Sequence, residues 1–338
     1  MGRREAYGTY AASWTPPSYT VDDRGKVVGG YHPPGRHNWG RWGEDDRRGT
    51  ANLIGPEQLR NAAALVRRGR AFSLSHPVDA TSPRFQGRPA PKHYFMMTGS
   101  DAVVGSPVNA GFEGFVWNDD CIDMALQSST QWDGLAHVQV DDTLYNGFWA
   151  GSITAAGGSP AVGIGALNES FSGRGILLDV ARSEGVERLE PGQVITPAML
   201  ERAVEAAGLA IEVGDIVLIR TGHVTQWASL VTEEEKNGFV FAAPGIGMAA
   251  ADWLAERDVA AVVSDTTGLE VAPSEGDVQS PVHRFFLVDL GLTIGELWNL
   301  EELAEDCAQD GAYAFLLVAP PLYLPRAVGS PLNPTAIK

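Results

Sequence analysis

Residues 196–222 read TPAMLERAVEAAGLAIEVGDIVLIRTG. The first half is a helix pattern over Pro197 to Ala207, with Thr196 in the capping position and Gly208 as the stop. The second half, GDIVLIRTG, holds apolar residues too continuous for a surface hairpin, which predicts a buried strand. The same alternation extends outward. Strand-like runs lie at RGILLDVA (174–181), VAAVVSD (259–265) and YAFLLVAP (313–320), with another expected at IDMALQSST (122–130). A second helix pattern covers Met248 to Arg257. An earlier one covers Pro56 to Arg68, with Leu59, Ala62, Ala63 and Val66 on one face and Gly69 as its stop. Strands and helices in alternation predict an α/β fold: a layered domain around a mixed, largely buried sheet. Residues 1–37, rich in Pro, Gly, Tyr and charge and without periodicity, read as an N-terminal arm. No internal repeat interrupts the rest, so residues 38–338 are expected to form a single domain.

The 338 residues are 44% hydrophobic, enough to bury a large core. A formal charge of −17, from 42 acidic and 25 basic residues, repels phosphate backbones and anionic lipid. Nucleic acid and membrane surfaces are therefore not expected partners. The opening MGRREAYGTY lacks the apolar run of a secretory signal, and no window reaches the ~20 apolar residues of a membrane span, which points to the cytoplasm. Cys121 and Cys307 stand alone and far apart, so neither a disulfide framework nor a thiolate zinc site is indicated.

Three familiar chemistries can be tested by their motifs. Gly245, Gly247 and Ala250 match the G-x-G-x-x-A dinucleotide fingerprint, with strand-like NGFVFAA before it and Asp265 downstream where a ribose-binding acid would sit. Pro244 directly before the first glycine argues against the required turn, as does the lack of a second mononucleotide half. No G-x-S-x-G nucleophile elbow and no Walker phosphate loop occurs. Metal or general acid/base chemistry remains.

The stretch LQSSTQWDGLAHVQVDD, Leu126 to Asp142, concentrates groups suited to that chemistry. On a strand, Gln131 and Asp133 point to one face, and a turn at Gly134 would bring His137 back beside them. Seven histidines are present, and each taken singly is more often a satisfied core or surface residue than a ligand. A second candidate segment is SPVHRFFLVDLGLTIGELWNL, in which His283 begins a helix and Glu296 follows a short apolar strand. Spacing alone leaves open whether these are functional or a cap and a solvated acid.

These residues resemble the cyclase family that includes bacterial kynurenine formamidase, isatin hydrolase and related metal-dependent hydrolases. Its hallmark is H-x-G-T-H-x-D-x-P-x-H. The matching stretch here runs from Gln127 to His137 and keeps Thr130, Asp133 and His137, with Gln127 and Gln131 in place of the two earlier histidines. The likeness extends to NWGRWGEDDRRGTANLIGPEQLRNAAALVRRGR, GRGILLDVA, VGDIVLIRTG, SPVHRFF with Glu296, and GSPLNPTAI, so it covers the chain from about Asn38 onward.

The resemblance implies a swivelling β/β/α domain, a homo-oligomer, and a small-molecule substrate. It implies that Asp133, His283 and Glu296 are metal ligands, and that His137 is the general acid/base, with Asp133 shared between the metal and the catalytic group. Gln127 and Gln131 fall on the histidine ligands of the first metal position. An amide oxygen is a neutral, weaker and harder donor than imidazole, which favours a single divalent metal with Gln131 as an accessory ligand. Manganese or magnesium suits such oxygen-rich coordination at least as well as zinc. The function implied is hydrolysis of a cyclic amide, aryl formamide or lactone by a metal-activated water. Trp132, Tyr145, Phe148 and Trp149 cluster around the motif and read either as core or as a stacking surface for a ring-containing substrate. Gln127, Trp132 and Trp149 are the expected substrate contacts under the second reading. Two alternatives stand beside the hydrolase: a metal-independent cyclase or dehydratase acting on a natural-product intermediate, and a non-catalytic small-molecule binding protein.

Overall fold

The computed structural model describes residues 17–106 and 115–338. The first sixteen residues of the expected arm lie outside the described residues. Nine strands form one sheet: β1 (Ala71–Ser73), β2 (Gln131–Asp133), β3 (Ser172–Asp179), β4 (Ile216–Arg220), β5 (Ala261–Ser264), β6 (Thr293–Glu296), β7 (Ala314–Val318), β8 (Gly329–Pro331) and β9 (Thr335–Ile337). Across the sheet they lie in the order β8, β2, β6, β5, β4, β3, β7, β9, β1. The central four, β6 to β3, run parallel, and antiparallel strands flank them on both sides.

The parallel centre explains the unbroken apolar runs. Ile176 and Leu178 of β3 and Val217 and Ile219 of β4 enter one core, while Leu177, Ile216 and Leu218 enter a second core on the other face. Among the described residues, five helices of eight or more residues accompany the sheet: α1 (Pro56–Ala63), α2 (Pro197–Ala207), α3 (Glu233–Phe241), α4 (Met248–Ala255) and α5 (Glu301–Asp310). Helix α2 supplies Met199, Leu200 and Ala203 and α4 supplies Ala250, Ala251 and Leu254 to the first core. Leu303, Ala304 and Cys307 of α5 pack into the second. Helix α2 has the expected bounds, and Gly208 closes it in the left-handed conformation, φ 63°. Thr196 holds the capping position without a side-chain capping bond.

Several expectations need correction. IDMALQSST is not a buried strand. Ile122 and Asp123 end an exposed strand, Asp119–Asp123, that pairs antiparallel with Lys92–Met97, and the sheet strand lies further along, at Gln131–Asp133. NGFVFAA belongs mostly to helix α3, which Thr232 and Glu235 open as a reciprocal capping box. Helix α1 stops at Ala63, and of the expected apolar face only Ala62 is buried, with Leu59 exposed. Helix α4 ends at Ala255 rather than Arg257.

The described part of the arm, residues 17–37, is tied to the rest of the chain by polar contacts. The Tyr19 hydroxyl donates to Asp142 at 2.9 Å, the Lys26 ammonium to the Asn146 carbonyl at 2.9 Å, and the Tyr31 hydroxyl to Asp289 at 2.8 Å. Among the described residues no helix is long and apolar enough to cross a membrane.

Candidate active site

Strand β2 is three residues long and fully buried, between β6 and β8. Side chains alternate along it, so Gln131 and Asp133 share one face and Trp132 takes the other. Gln131 lies opposite Glu296 and Asp133 opposite Ile294 in the β2–β6 register. Beyond β2, the His137 amide donates to the Gly134 carbonyl at 2.9 Å, and this turn returns His137 toward Asp133, its Nε2 lying 3.8 Å from Oδ1. His283 comes from the helical turn Pro281–His283, which leads into a π-helical segment, Arg284–Leu290. Its Nε2 is 3.2 Å from Glu296 Oε1 and 3.9 Å from Asp133 Oδ2. One potential ligand atom each from Asp133, His283 and Glu296 lies within 4.8 Å of the others.

The charges in this cluster act on one another at short range. Burial raises the Glu296 carboxyl to about 7, and the neighbouring Asp133 charge adds to the effect against the pull of His283. Burial pushes the His283 imidazole down, but its hydrogen bonds to Glu270 and Glu296 outweigh this and place it at about 10. The cluster thus retains protons to offset its buried carboxylates, and a cation would serve the same end. His137 goes the other way. Burial lowers it, opposed by the Asp133 charge, so a neutral imidazole able to accept a proton is favoured.

The donor set fits a divalent cation: two carboxylates and an imidazole converge, and Gln131 Oε1 is buried without a hydrogen-bond partner. Gln131 itself does not face the cluster as a ligand. Its Nε2 donates to Glu296 Oε2 at 2.7 Å and to Asp133 Oδ1 at 3.4 Å, so the amide would have to turn over to offer its oxygen.

A cavity of about 600 Å³ opens over Asp133, His137, His283 and Glu296. The expected substrate contacts are not part of its lining. Trp132 is fully buried in the opposite core between Phe171 and Trp298, at ring separations of 4.7 and 4.9 Å, and its indole N–H donates to the Ala319 carbonyl at 2.7 Å. Gly295 makes room for it, since a Cβ there would sit 2.9 Å from the Trp132 ring. Trp149 turns to the arm, with its indole N–H donating to the Tyr19 hydroxyl at 3.1 Å. Gln127 packs its amide against Gly329. Phe148 and Tyr145 are core residues.

Trp132→Ala is accordingly expected to act on stability alone. It removes a fully buried indole and should cost about 3–5 kcal/mol in urea unfolding, while the folded variant keeps the ligand affinity of the parent. An unchanged unfolding midpoint would contradict this placement.

Four residues that sequence reasoning did not single out do line the cavity. Phe85 and Phe241 meet edge to face at 5.5 Å and supply an aromatic wall. Arg88 lies on the same wall, its guanidinium 5.3 Å from the Phe85 ring centre. Glu270 accepts hydrogen bonds from the Val282 and His283 amides, each at 3.2 Å, and from His283 Nδ1, which directs Nε2 toward Glu296. This carboxylate–imidazole pair matches the outer-shell support usual behind a metal-binding histidine.

The dinucleotide reading fails on geometry. Gly245–Ile246 is a short strand paired with Val194–Ile195, and buried Asp265 accepts hydrogen bonds from the Thr221 amide and hydroxyl and the Gly222 amide. Its carboxylate is committed to that turn.

Comparison with known proteins agrees with the fold. The family profile described as "Putative cyclase" matches residues 72–271. A crystal structure of a novel cyclase is 44% identical, covering 90% of this chain and 100% of that one, with a TM-score of 0.85. The chain belongs to the cyclase family. Two further structures share the fold at lower identity. Isatin hydrolase A from Labrenzia aggregata, bound to benzyl benzoate, is 18% identical over 83% of this chain and 97% of that one, TM-score 0.56. An isatin hydrolase bound to the product analogue thioisatinate is 16% identical over 84% and 98%, TM-score 0.55. No curated protein matches the chain.

Proposed function

We propose that this cyclase-family protein is a hydrolase of a cyclic amide, aryl formamide or lactone, using one divalent cation held by Asp133, His283 and Glu296. The observation that carries the reading is the convergence of those three groups at the floor of a cavity that also holds a neutral-leaning histidine. Fold kinship with isatin hydrolases supports it. A cation bound there would polarise a carbonyl and lower the pKa of a water. The chain's own residues do the rest. His137, beside Asp133, takes a proton from the attacking water and returns it to the leaving nitrogen or oxygen. Glu270 fixes the ring of His283, and Phe85 and Phe241 cover a flat substrate and keep bulk water away.

A second reading is favoured by the amide of Gln131. It already donates to Glu296 and Asp133, and His283 already spans Glu270 and Glu296, so the cluster can balance its charge without a cation. A metal-independent cyclase or dehydratase would use His137 and Asp133 for proton transfer alone. Elemental analysis of protein purified without chelator separates the two. We expect about one equivalent of manganese, zinc or magnesium per chain, and activity that falls on chelation and returns with metal. Metal-free protein with activity unmoved by chelator would reject the hydrolase reading.

A further inference from the structure

Among the described residues lining the cavity, Arg88 is the one Lys or Arg, set among Asp133, Glu270, Asp277 and Glu296. A guanidinium beside carboxylates ordinarily pairs with one of them. Arg88 does not. The carboxylates at the floor have other partners: Glu296 takes the amide of Gln131 and the imidazole of His283, and Glu270 takes His283 and two backbone amides. Among the described residues the Arg88 side chain makes a single hydrogen bond, from Nη1 to the Gln127 carbonyl, and rests near the face of Phe85. Of its five N–H donors, the remainder go unspent on the described residues. A half-buried guanidinium anchored by one carbonyl and one ring, with its other donors idle, is prepared for an acceptor that arrives from outside. Its charge reaches the chemistry as well. Burial dominates the shifts of His137, downward, and Glu296, upward, and the Arg88 charge is felt at both, acting downward.

We propose that Arg88 is the specificity-determining residue of the cavity and selects substrates that carry a carboxylate, gripping it through the N–H donors not used on Gln127. This rests on the cavity being the substrate site of the proposed hydrolase. An acidic protein with several carboxylates around its site tends to repel an anionic ligand, and Arg88 supplies a positive point on the cavity wall for one to dock against. The planar fork of arginine matches a carboxylate in two parallel hydrogen bonds, which a lysine cannot reproduce.

The test uses two probes, N-formylanthranilate, an aryl formamide with a ring carboxylate, and formanilide, its neutral parent. Calorimetric titration of the full chain as purified gives both affinities. The carboxylate probe should bind on the order of tenfold to a hundredfold more tightly, as expected of a hydrogen-bonded charge pair. Arg88→Gln should abolish that preference and leave formanilide unchanged. Arg88→Lys, which keeps the charge and loses the fork, should retain part of it and serves if the glutamine variant does not fold. Equal affinity for the two probes in the parent, failure of the carboxylate probe to bind, or a preference that survives in Arg88→Gln would overturn the assignment. Hydrolysis is followed separately. Preference without turnover of either probe would count against the hydrolase reading and leave Arg88 in place, and turnover with a preference indifferent to Arg88 would do the reverse.

Discussion

His283→Ala and Glu296→Ala are each expected to bind a divalent cation at least about a hundredfold more weakly than the parent and to lose turnover with it, since even outer-shell changes cost tenfold to a hundredfold. The geometry makes the loss steep. Three protein groups converge, so each deletion removes a third of the charged and imidazole donors. His283→Ala also strands Glu270, whose hydrogen bond to the ring vanishes while its carboxylate stays buried. Breaking such a pair costs about 3–5 kcal/mol, which protonation of the remaining acids can relieve in part. Thermal melts with and without added metal give the cleanest readout. Saturating manganese at about 100 times its Kd should stabilise the parent by about 2.7 kcal/mol and each variant by no more than about 0.4 kcal/mol. Normal metal content and a normal melting shift in either variant would mean that the ligand assignment is wrong.

The second large effect belongs to His137. His137→Ala should lower kcat by about 10² to 10⁴, the range of a general acid/base, with metal content intact and KM little changed. Its Nε2 stands 3.8 Å from Asp133 Oδ1, outside hydrogen-bond range, so the ring is free to turn to a substrate atom. It is also not one of the three convergent ligands. Loss of metal in this variant would make it a ligand, and an unchanged kcat would remove it from the chemistry.

The α/β layering was legible because the parallel strands are buried on both faces. Runs such as 216–219 of β4 have no polar side to disguise them. Asp133, His137, His283 and Glu296 were legible through a family pattern, and the two-residue period of a strand correctly put Gln131 and Asp133 on one face. The same period already forbade Trp132 from joining them, a consequence missed because aromatic residues near a motif invite a stacking role. Ile122, Met124 and Leu126 mimic a strand by alternation, yet Ile122 stands on an exposed hairpin. In α3, the Thr232–Glu235 capping box was the available signal and outweighed the β-like composition of NGFVFAA. Arg88, Phe85, Phe241 and Glu270 carry no local pattern. They reach the site by tertiary packing, which spacing does not encode.

The brevity of β2 bears on how the protein is made. Its three residues are held by β6, with Gln131 and Glu296 separated by 165 positions, and by β8, at Gly329–Pro331, further still along the chain. A strand of that length has almost no persistence of its own, and closing such long loops carries an entropic cost before any contact offsets it. During synthesis, Gln131 and Asp133 therefore gain a first sheet neighbour only once the chain through Glu296 has left the ribosome, and a second only with Pro331. This strand is among the last parts of the sheet to be secured, and refolding should show it as a slow phase, late relative to the β3–β4 pair, in pulse-labelled hydrogen exchange.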